Sequence, residues 1–230
     1  MKTIGLLGGM SWESSQEYYR IINQEVAKRL GGFNSAEILL YSVDFKPIAE
    51  GVQEDDFEKI AGVVLPAAKV LEKGGSDLIL ICTNTVHRIF ERVQEAVSVP
   101  LIHIADVTAE EIKKKGLKKV GLLGTKHTMG AEFYKKRLDK HGLEVIVPEE
   151  KSQKFVHDVI MDELCLGQIK EESAEKYRQI IEDLIAEGAE GIILGCTEIP
   201  LLVKQEGISV PLFDTTFLHA KAAVDFALKE

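Results

Sequence analysis

The sequence contains few cysteines and no long uninterrupted apolar segment. Its three cysteines, Cys82, Cys165 and Cys196, form an odd count without metal-like spacing, which argues against a disulfide framework and predicts a reducing compartment. The longest apolar runs are short and broken by glycine, so no transmembrane helix is predicted. The first residues lead directly into a strand pattern and show no signal-peptide layout. We therefore expect a cytoplasmic protein without a membrane partner.

Positive charge is also scarce. The 28 lysines and arginines are outnumbered by 37 aspartates and glutamates, which gives a formal net charge of −9. This balance argues against a nucleic-acid groove or an anionic membrane surface, although solubility alone accounts for it. The six histidines lack HxxxH or HxH spacing, so no metal site is predicted. Lone histidines such as His87 and His219 are interpreted as core or surface residues more readily than as acid–base groups.

What the sequence does contain is one pattern that occurs twice. Three landmarks recur in the same order, at offsets of 116, 114 and 111 residues. The pairs are Thr3–Met10 with Lys119–Thr125, Gly74–Thr85 with Gly188–Glu198 and, more weakly, Pro100–Ile102 with Pro211–Phe213. Two related halves can face each other across a cleft and offer similar loops to opposite faces of one ligand. The repeat therefore predicts two related lobes.

Strand-like and helix-like segments alternate through both halves. Short runs rich in Ile, Leu and Val, typical of strands buried on both faces of a parallel sheet, lie at 3–7, 37–43, 78–82, 101–104, 119–123, 143–147, 191–194 and 210–213. Charged segments with helical spacing lie at 14–30, 56–73, 86–96, 106–115, 130–141, 172–187 and 215–229. The alternation predicts an α/β fold built from βαβ units. We expect a first lobe of residues 1–105 plus 208–230 and a second lobe of residues 106–207.

The repeated motifs lie at the carboxyl ends of the predicted strands, where open parallel sheets bind their ligands. Gly8-Gly9-Met10-Ser11 follows the first strand and precedes a helix, so its backbone N–H groups are candidates for an anion site. The same glycines also suit a tight turn that needs no ligand. Because the segment lacks the full dinucleotide fingerprint and the Walker pattern, it does not predict a nucleotide cofactor.

Cys196 ends a predicted strand and precedes a helix, beside Thr197 and Glu198. Free cysteines are usually small core residues. A helix N-terminus, however, lowers a thiol pKa from its free value of about 8.5, which predicts a thiolate base near neutral pH. Thr197 and Glu198 can hydrogen-bond or polarise a bound group. Asn84 and Thr85 at the other strand end suit a small carboxylate or ammonium group, or they only cap the following helix.

Five motifs together resemble the cofactor-independent aspartate/glutamate racemase superfamily. They run in order through the chain: Gly8-Gly9-Met10-Ser11, Asn84-Thr85-x-His87, Gly124-Thr125, Gly195-Cys196-Thr197-Glu198 and Phe213-Asp214-Thr215. The resemblance implies two pseudo-symmetric Rossmann-like or flavodoxin-like lobes, each a parallel sheet flanked by helices, with an active site between the lobes. It also implies that no pyridoxal phosphate or other cofactor takes part. One residue removes the α-proton of an amino acid and a second donates a proton to the other face, and most members use two cysteines for this.

The chain departs from the family pattern at the first of these two residues. The usual motif is Cys-Asn-Thr, whereas here Thr83 precedes Asn84 and Cys82 lies one place earlier. The internal repeat, aligned without a gap, pairs Cys82 with Cys196, but the family motif places Thr83 in the first base position. Neighbouring strand residues point to opposite faces, so only one of the two can face a substrate. We favour Thr83, because Asn84 and Thr85 must also fit the ligand. A hydroxyl is a poorer base than a thiolate, which predicts unequal catalysis in the two directions.

A second departure concerns the substrate side chain. Aspartate racemases usually place an arginine in the loop after the second strand, but residues 43–53 contain Lys46 and Gln53 and no arginine. A bidentate clamp for a side-chain carboxylate is therefore missing from this loop. Gln53 can hydrogen-bond a neutral or an acidic side chain, so the substrate is predicted to be of the aspartate/glutamate type or of broad range.

The resemblance thus implies an isomerase that racemises an amino acid, with Thr83 and Cys196 as its catalytic residues. The expected substrate-binding residues are Met10 (through its backbone), Gln53, Asn84, Thr85, Thr125, Thr197 and Glu198. The expected partner is a small-molecule amino acid, and the family suggests a homodimer. Another activity of the superfamily (hydantoin racemase, arylmalonate decarboxylase or maleate isomerase) and a non-catalytic amino-acid-binding protein remain alternatives.

Overall fold

The computed structural model describes residues 1–130 and 132–229, which form an α/β fold with two parallel sheets, as predicted. The strands are β1 (Ile4–Gly8), β2 (Ile38–Ser42), β3 (Leu78–Ile81), β4 (Lys119–Leu123), β5 (Glu144–Ile146), β6 (Ile192–Leu194) and β7 (Leu212–Asp214). The helices are α1 (Trp12–Leu30), α2 (Phe45–Gln53), α3 (Phe57–Lys73), α4 (Phe90–Ala96), α5 (Ile104–Lys114), α6 (Lys126–Gly130), α7 (Glu132–Asp139), α8 (Glu150–Asp162), α9 (Glu171–Ala186), α10 (Ile199–Leu202) and α11 (Thr215–Ala227), with 3-10 helices at Thr85–Ile89 and Leu164–Leu166. Within the described ranges, no helix is both long and apolar enough to cross a membrane.

The chain divides into two compact units. Unit 1 contains Met1–Ile104 and the chain from His219 onward, and unit 2 contains Ala105–Leu218. The sequence places the return to the first lobe at residue 208, but β7 pairs in parallel with β6, so the chain stays in unit 2 until the first turn of α11. Ala131 and Glu230, which belong to the predicted helix 130–141 and to the predicted first lobe, lie outside the described residues.

Unit 1 is built on a sheet of order β2-β1-β3 with apolar clusters on both faces. Alternate residues of β3 enter different clusters: Leu78 and Leu80 pack with α1 and α11, whereas Ile79 and Ile81 pack with α3 and α4. Because both faces of the strand are buried, its sequence is a continuous apolar run without polar alternation.

Unit 2 is built on a sheet of order β5-β4-β6-β7. Ile192 and Leu194 of β6 pack with Leu123 of β4 in one large cluster that α8 and α9 cover. In each unit a pair of neighbouring strands, β1 with β3 and β4 with β6, ends in loops that contain the repeated polar motifs.

The predicted strand at 101–104 is wrong. Leu101 forms only an isolated parallel bridge with Ile79, and α5 already begins at Ile104. Ile104 and Ala105 are fully buried, so the end of this apolar run is the covered first turn of a helix. Short apolar runs do not distinguish a strand from a buried helix end, which explains the error.

Candidate active site

The carboxyl end of β3 exposes part of Thr83 and buries Cys82. Cys82 is fully buried in the cluster formed with α1 and α11, and its Sγ lies 3.8 Å from the carbonyl oxygen of Leu80. Burial raises the pKa of this thiol. Thr83 is half-buried. Of these two neighbours, Cys82 is therefore a core residue and Thr83 has the accessible surface.

The carboxyl end of β6 carries Cys196 and Thr197 above a buried carboxylate. Both residues are half-buried, whereas Glu198 is only 5% exposed. The thiol of Cys196 donates to Glu198 Oε2 at 3.0 Å, and the hydroxyl of Thr197 donates to the same oxygen at 2.7 Å. One carboxylate oxygen therefore fixes both side chains, and it does so with charge-assisted hydrogen bonds.

Equivalent hydrogen bonds in the two sheets show which residues of the repeat correspond. The Cys82 N–H donates to the Leu7 carbonyl at 3.0 Å, and the Gly195 N–H donates to the Leu123 carbonyl at 2.6 Å. Leu7 and Leu123 hold the same place in the first landmark. The counterpart of Cys82 is therefore Gly195, and not Cys196.

The weaker third landmark gives the same correspondence. The Ile79 N–H donates to the Pro100 carbonyl at 3.0 Å, and the Ile192 N–H donates to the Pro211 carbonyl at 3.0 Å. The ungapped sequence alignment pairs Ile79 with the residue after Ile192. The structural register thus differs from that alignment by one residue.

This register places Thr83 at the position that Cys196 occupies in the other half. The left-handed glycines before the two strands agree, because Gly75 and Gly188 both have a φ of 95°. Sequence identity alone pairs Gly74 with Gly188, which is the source of the one-residue error. Of the two alignments considered from the sequence, the structure supports the one that uses Thr83.

A buried histidine supports the backbone of Thr83. His87 donates from Nδ1 to the Thr83 carbonyl at 2.7 Å and accepts at Nε2 from the Ile104 N–H at 3.2 Å. Burial lowers its pKa well below the usual range, and nearby His103 and His219 oppose a further positive charge. His87 is therefore a neutral core residue with both ring nitrogens occupied.

His219 is satisfied in the same way. It donates from Nε2 to the Ile102 carbonyl at 2.8 Å, so its Nδ1 accepts from the Tyr18 hydroxyl, also at 2.8 Å. Burial lowers the pKa of His219 to about 4. The interpretation of both histidines as core residues agrees with this geometry.

Serine hydroxyl groups form the hydrogen bonds that hold the turn after β1. The Gly9 N–H donates to Ser15 Oγ at 2.7 Å, and the Ser15 hydroxyl donates to the Ser11 carbonyl at 2.9 Å. Ser11 Oγ accepts from the Ser14 N–H at 3.3 Å and so caps α1. The tight-turn interpretation accounts for these contacts without an anion. The Met10 side chain is in the core, and the role of its backbone stays a prediction.

The other predicted binding residues differ in their placement. Thr125 Oγ1 accepts from the Thr128 N–H at 3.3 Å, which caps α6. Asn84 is 4% exposed and Thr85 is half-buried at the start of the 3-10 helix after β3. Gln53 is exposed and is the last residue of α2. Because this helix is roughly 13 Å long, Gln53 lies at the end of α2 that is farther along the chain from β2.

The prediction of a lowered Cys196 pKa is wrong. Burial and then the negative charge of Glu198 raise the pKa of this thiol well above its usual value. The helix that was expected to lower it, α10, begins only at Ile199 and has four residues, so its field at Cys196 is small. With its pKa raised in this way, Cys196 is a protonated thiol near neutral pH.

One supporting contact carries no sequence signal. The Ser14 hydroxyl of α1 donates to the Cys82 carbonyl at 2.7 Å, across 68 residues of chain. The Glu198–Cys196 contact was foreseeable in part, since the two residues lie two positions apart. Among the described residues, no group of three or more His, Cys, Asp and Glu side chains is placed to hold a metal ion.

Comparison with known proteins agrees with these motifs. A model of the Asp/Glu/hydantoin racemase family matches residues 7–223. The crystal structure of a candidate Asp/Glu racemase from Yersinia pestis is 50% identical, with 100% of each chain covered and a TM-score of 0.93. A Pyrococcus horikoshii OT3 protein described as an aspartate racemase homologue is 38% identical, again with 100% of each chain covered, and has a TM-score of 0.87. The broad specificity amino-acid racemase RacX of Bacillus subtilis is 28% identical over 228 residues, which is 96% of each chain.

Proposed function

Because this chain belongs to the Asp/Glu/hydantoin racemase family, and is an isomerase of the amino-acid racemase class, we propose that it interconverts the L and D forms of an amino acid without pyridoxal phosphate. Thr83 and Cys196 exchange the α-proton of the substrate, one removing it and the other supplying its replacement. A single positioned acid or base of this kind contributes roughly 10²- to 10⁴-fold to the rate.

The observation that carries this proposal is the equivalence of Thr83 and Cys196 in the two sheets. Each lies two residues after the last residue of a buried strand, at the same place in the hydrogen-bond register, and both are half-buried. Cys82, the alternative, is fully buried. A two-base reaction needs one accessible proton-transfer group from each half, and the repeat supplies one such pair.

The other polar groups that the sequence predicts at the strand ends are proposed to hold the amino acid. They are Asn84, Thr85, Thr125, Thr197, Glu198 and the Met10 backbone. Donors close to the α-carboxylate stabilise the negative charge that develops when the α-proton leaves. Gln53 has the weakest support, because it is exposed at the end of α2.

Proton NMR in D₂O tests the reaction class directly. A panel of L- and D-amino acids is incubated with the protein, and each α-proton signal is followed. We expect particular α-proton signals to disappear with the native protein and to persist with Cys196→Ala. If no signal in the panel exchanges, amino-acid racemisation is refuted, and hydantoins, malonates and maleate become the next substrates to assay.

The unequal pair of Thr83 and Cys196 predicts a directional asymmetry. The equilibrium constant between mirror images is one, so kcat/KM must be equal in the two directions and the asymmetry must appear in kcat and KM separately. We expect Thr83→Cys to bring the two kcat values closer together, because a thiol ionises far more readily than a hydroxyl. An unchanged ratio of the two kcat values would contradict the assignment of Thr83.

The substrate class is proposed to include neutral amino acids as well as acidic ones. Lys46 at the start of α2 is 80% exposed and lies 3.9 Å from Glu50, so the loop after β2 offers a solvated single charge and no bidentate clamp. The relative RacX is described as having broad specificity. The NMR panel decides this point, since exchange restricted to aspartate and glutamate would rule out the broader class.

A homodimer and a cytoplasmic location complete the proposal. Cys82, Cys165 and Cys196 form no disulfide bond with one another, which supports a reducing compartment. Light scattering coupled to gel filtration measures the mass directly. A mass near 25.5 kDa would show a monomer and refute the dimer.

A further inference from the structure

A buried carboxylate contacts the Cys196 sulfur. Glu198 is 5% exposed, and its Oε2 accepts from the thiol at 3.0 Å and from the Thr197 hydroxyl at 2.7 Å. A carboxylate that is removed from water needs such donors, because an unpaired buried charge is costly. The thiol proton is therefore one of the groups that stabilise the Glu198 charge.

Few other ionisable groups affect this thiol. Cys165 of the 3-10 helix at Leu164–Leu166 packs against the same cluster as Cys196 and acts on it weakly. Burial, and then the negative charge of Cys196 when it is ionised, raise the pKa of Tyr177 in α9. The Tyr177 hydroxyl donates to the Val156 carbonyl at 2.9 Å. Among the described residues, Glu198 is thus the carboxyl group that contacts the sulfur.

The other half of the repeat has a threonine at the position that corresponds to Glu198. In the structural register Cys196 corresponds to Thr83, so Glu198, two positions later, corresponds to Thr85. Thr85 is half-buried and carries a hydroxyl in place of an acid. The two halves therefore differ in their proton acceptors as well as in their catalytic groups.

We propose that Glu198 is a positioning residue that keeps Cys196 as a thiol at rest and takes its proton when the substrate is to be deprotonated. This inference rests on the proposed function of Cys196. It assigns Glu198 a partner inside the protein, in addition to the substrate contact expected from the sequence.

The proton balance of the step is simple. The Sγ–H bond breaks and an Oε2–H bond forms, which leaves a thiolate and a neutral carboxylic acid. The thiolate then takes the α-proton, so that a new Sγ–H bond forms and the electron pair of the broken Cα–H bond stays on the substrate. After Thr83 has protonated the opposite face, Glu198 gives its proton to water and Thr83 takes one from water, which closes the cycle.

Alkylation of Cys196 by iodoacetamide tests this role without any substrate. The rate is measured between pH 6 and pH 11 by mass spectrometry of the peptide that contains Cys196, so that Cys82 and Cys165 do not interfere. In the native protein we expect the midpoint of the rate profile to lie above the value of about 8.5 for a free cysteine. A midpoint at or below that value would overturn the proposal with the native protein alone.

The variant Glu198→Gln removes the charge and keeps the shape. We expect its midpoint to fall by at least about one pH unit, which gives roughly tenfold more thiolate at pH 7.5. Because nucleophilicity falls with the pKa, the alkylation rate there should rise only about threefold. An unchanged or higher midpoint would refute the role of Glu198.

A matched control is available in the same unit. Glu163 accepts from the Ser173 hydroxyl at 2.7 Å and pairs with Lys170, without contact to the Cys196 sulfur. Glu163→Gln should leave the Cys196 midpoint where it is in the native protein, and a fall equal to that of Glu198→Gln would show a general loss of structure instead. Glu198→Asp keeps the charge and should retain most of the elevation of the midpoint.

The outcome is independent of whether the protein racemises amino acids. If the alkylation profiles behave as expected but no α-proton exchanges, the Glu198–Cys196 pair stands and the racemase function fails. If α-protons exchange and Glu198→Gln leaves the midpoint unchanged, the racemase function stands and the role of Glu198 fails.

Discussion

Replacement of His219 by glutamine should remove an acid-sensitive element from the core of unit 1. His219 is fully buried, donates to the Ile102 carbonyl and accepts from the Tyr18 hydroxyl at 2.8 Å. Burial lowers its pKa to about 4 from the usual 6.5 of a histidine. The folded protein therefore favours the neutral ring, and the unfolded chain binds a proton first as the pH falls.

The sign and size of the effect follow from this difference. The stability that depends on neutral His219 is fully present above pH 6.5 and is lost as the pH falls towards 4. The full span of the shift corresponds to about 3 kcal/mol. Between pH 8 and pH 5, the part that is lost is about 2 kcal/mol.

Hydrogen exchange of the β1 and β3 amides measures the opening free energy of unit 1. The exchange is monitored by mass spectrometry from pH 5 to pH 8, and the rates are corrected for intrinsic exchange. We expect His219→Gln to be less stable than the native protein at pH 8, because it disturbs two buried hydrogen bonds. Its deficit should shrink by about 2 kcal/mol at pH 5.

The control is Tyr18→Phe, which removes the hydroxyl that His219 accepts from and leaves the titrating ring in place. This variant should be less stable at every pH but should keep the steep pH dependence of the native protein. Parallel pH profiles for the native protein and His219→Gln would refute the reasoning, since another group would then cause the acid sensitivity.

Three further substitutions test the role of Cys82 and the backbone demands of two glycines. Cys82→Ala should cost about 1 kcal/mol of unfolding free energy, because it removes one small buried group. The rate of α-proton exchange in D₂O should stay within about twofold of the native rate. A loss of exchange as large as that of Cys196→Ala would show that Cys82 is the catalytic residue. Gly9→Ala should cost at least about 2 kcal/mol in thermal or urea unfolding, because Gly9 has a φ of 86° and an added Cβ would collide with the Val43 backbone. Gly32→Ala, at a φ of 58° in open space, should cost about half as much, and equal costs would contradict the importance of the collision.

The apolar runs predicted best the strands that are buried on both faces, such as β1 and β3, whereas most of β2 is exposed. Six of the predicted runs and the run at 210–213 coincide with strands to within a few residues, whereas the run at 101–104 ends in the covered first turn of α5. Helix α2 was not indicated, since Pro47 and Gly51 weaken the helical pattern. Pro47 is tolerated because it lies in the first turn, where its missing N–H has no helical partner.

The candidate site could be predicted in outline but not in its register or its charge state. The family motif favoured Thr83, whereas identity of the glycines in the internal repeat paired Cys82 with Cys196. The hydrogen bonds between strands, which depend on three-dimensional pairing, equate Thr83 with Cys196. The thiol pKa was predicted in the wrong direction, because neither the burial of Glu198 nor the late start of α10 can be read from the residue order.

Helix α11 has a consequence for the order in which the protein is made. Ala220, Ala223, Val224 and Ala227 complete the apolar cluster that β1, β3 and α1 begin. Domains generally fold as units while a chain is synthesised from its N-terminus. Unit 2 is one uninterrupted stretch and can fold on the ribosome as soon as it has emerged, but unit 1 must wait for α11. Most of unit 1 is therefore synthesised first but completes its fold last. Until α11 is available, the apolar residues of β1, β3 and α1 stay partly exposed, and these are the residues that a chaperone would have to protect.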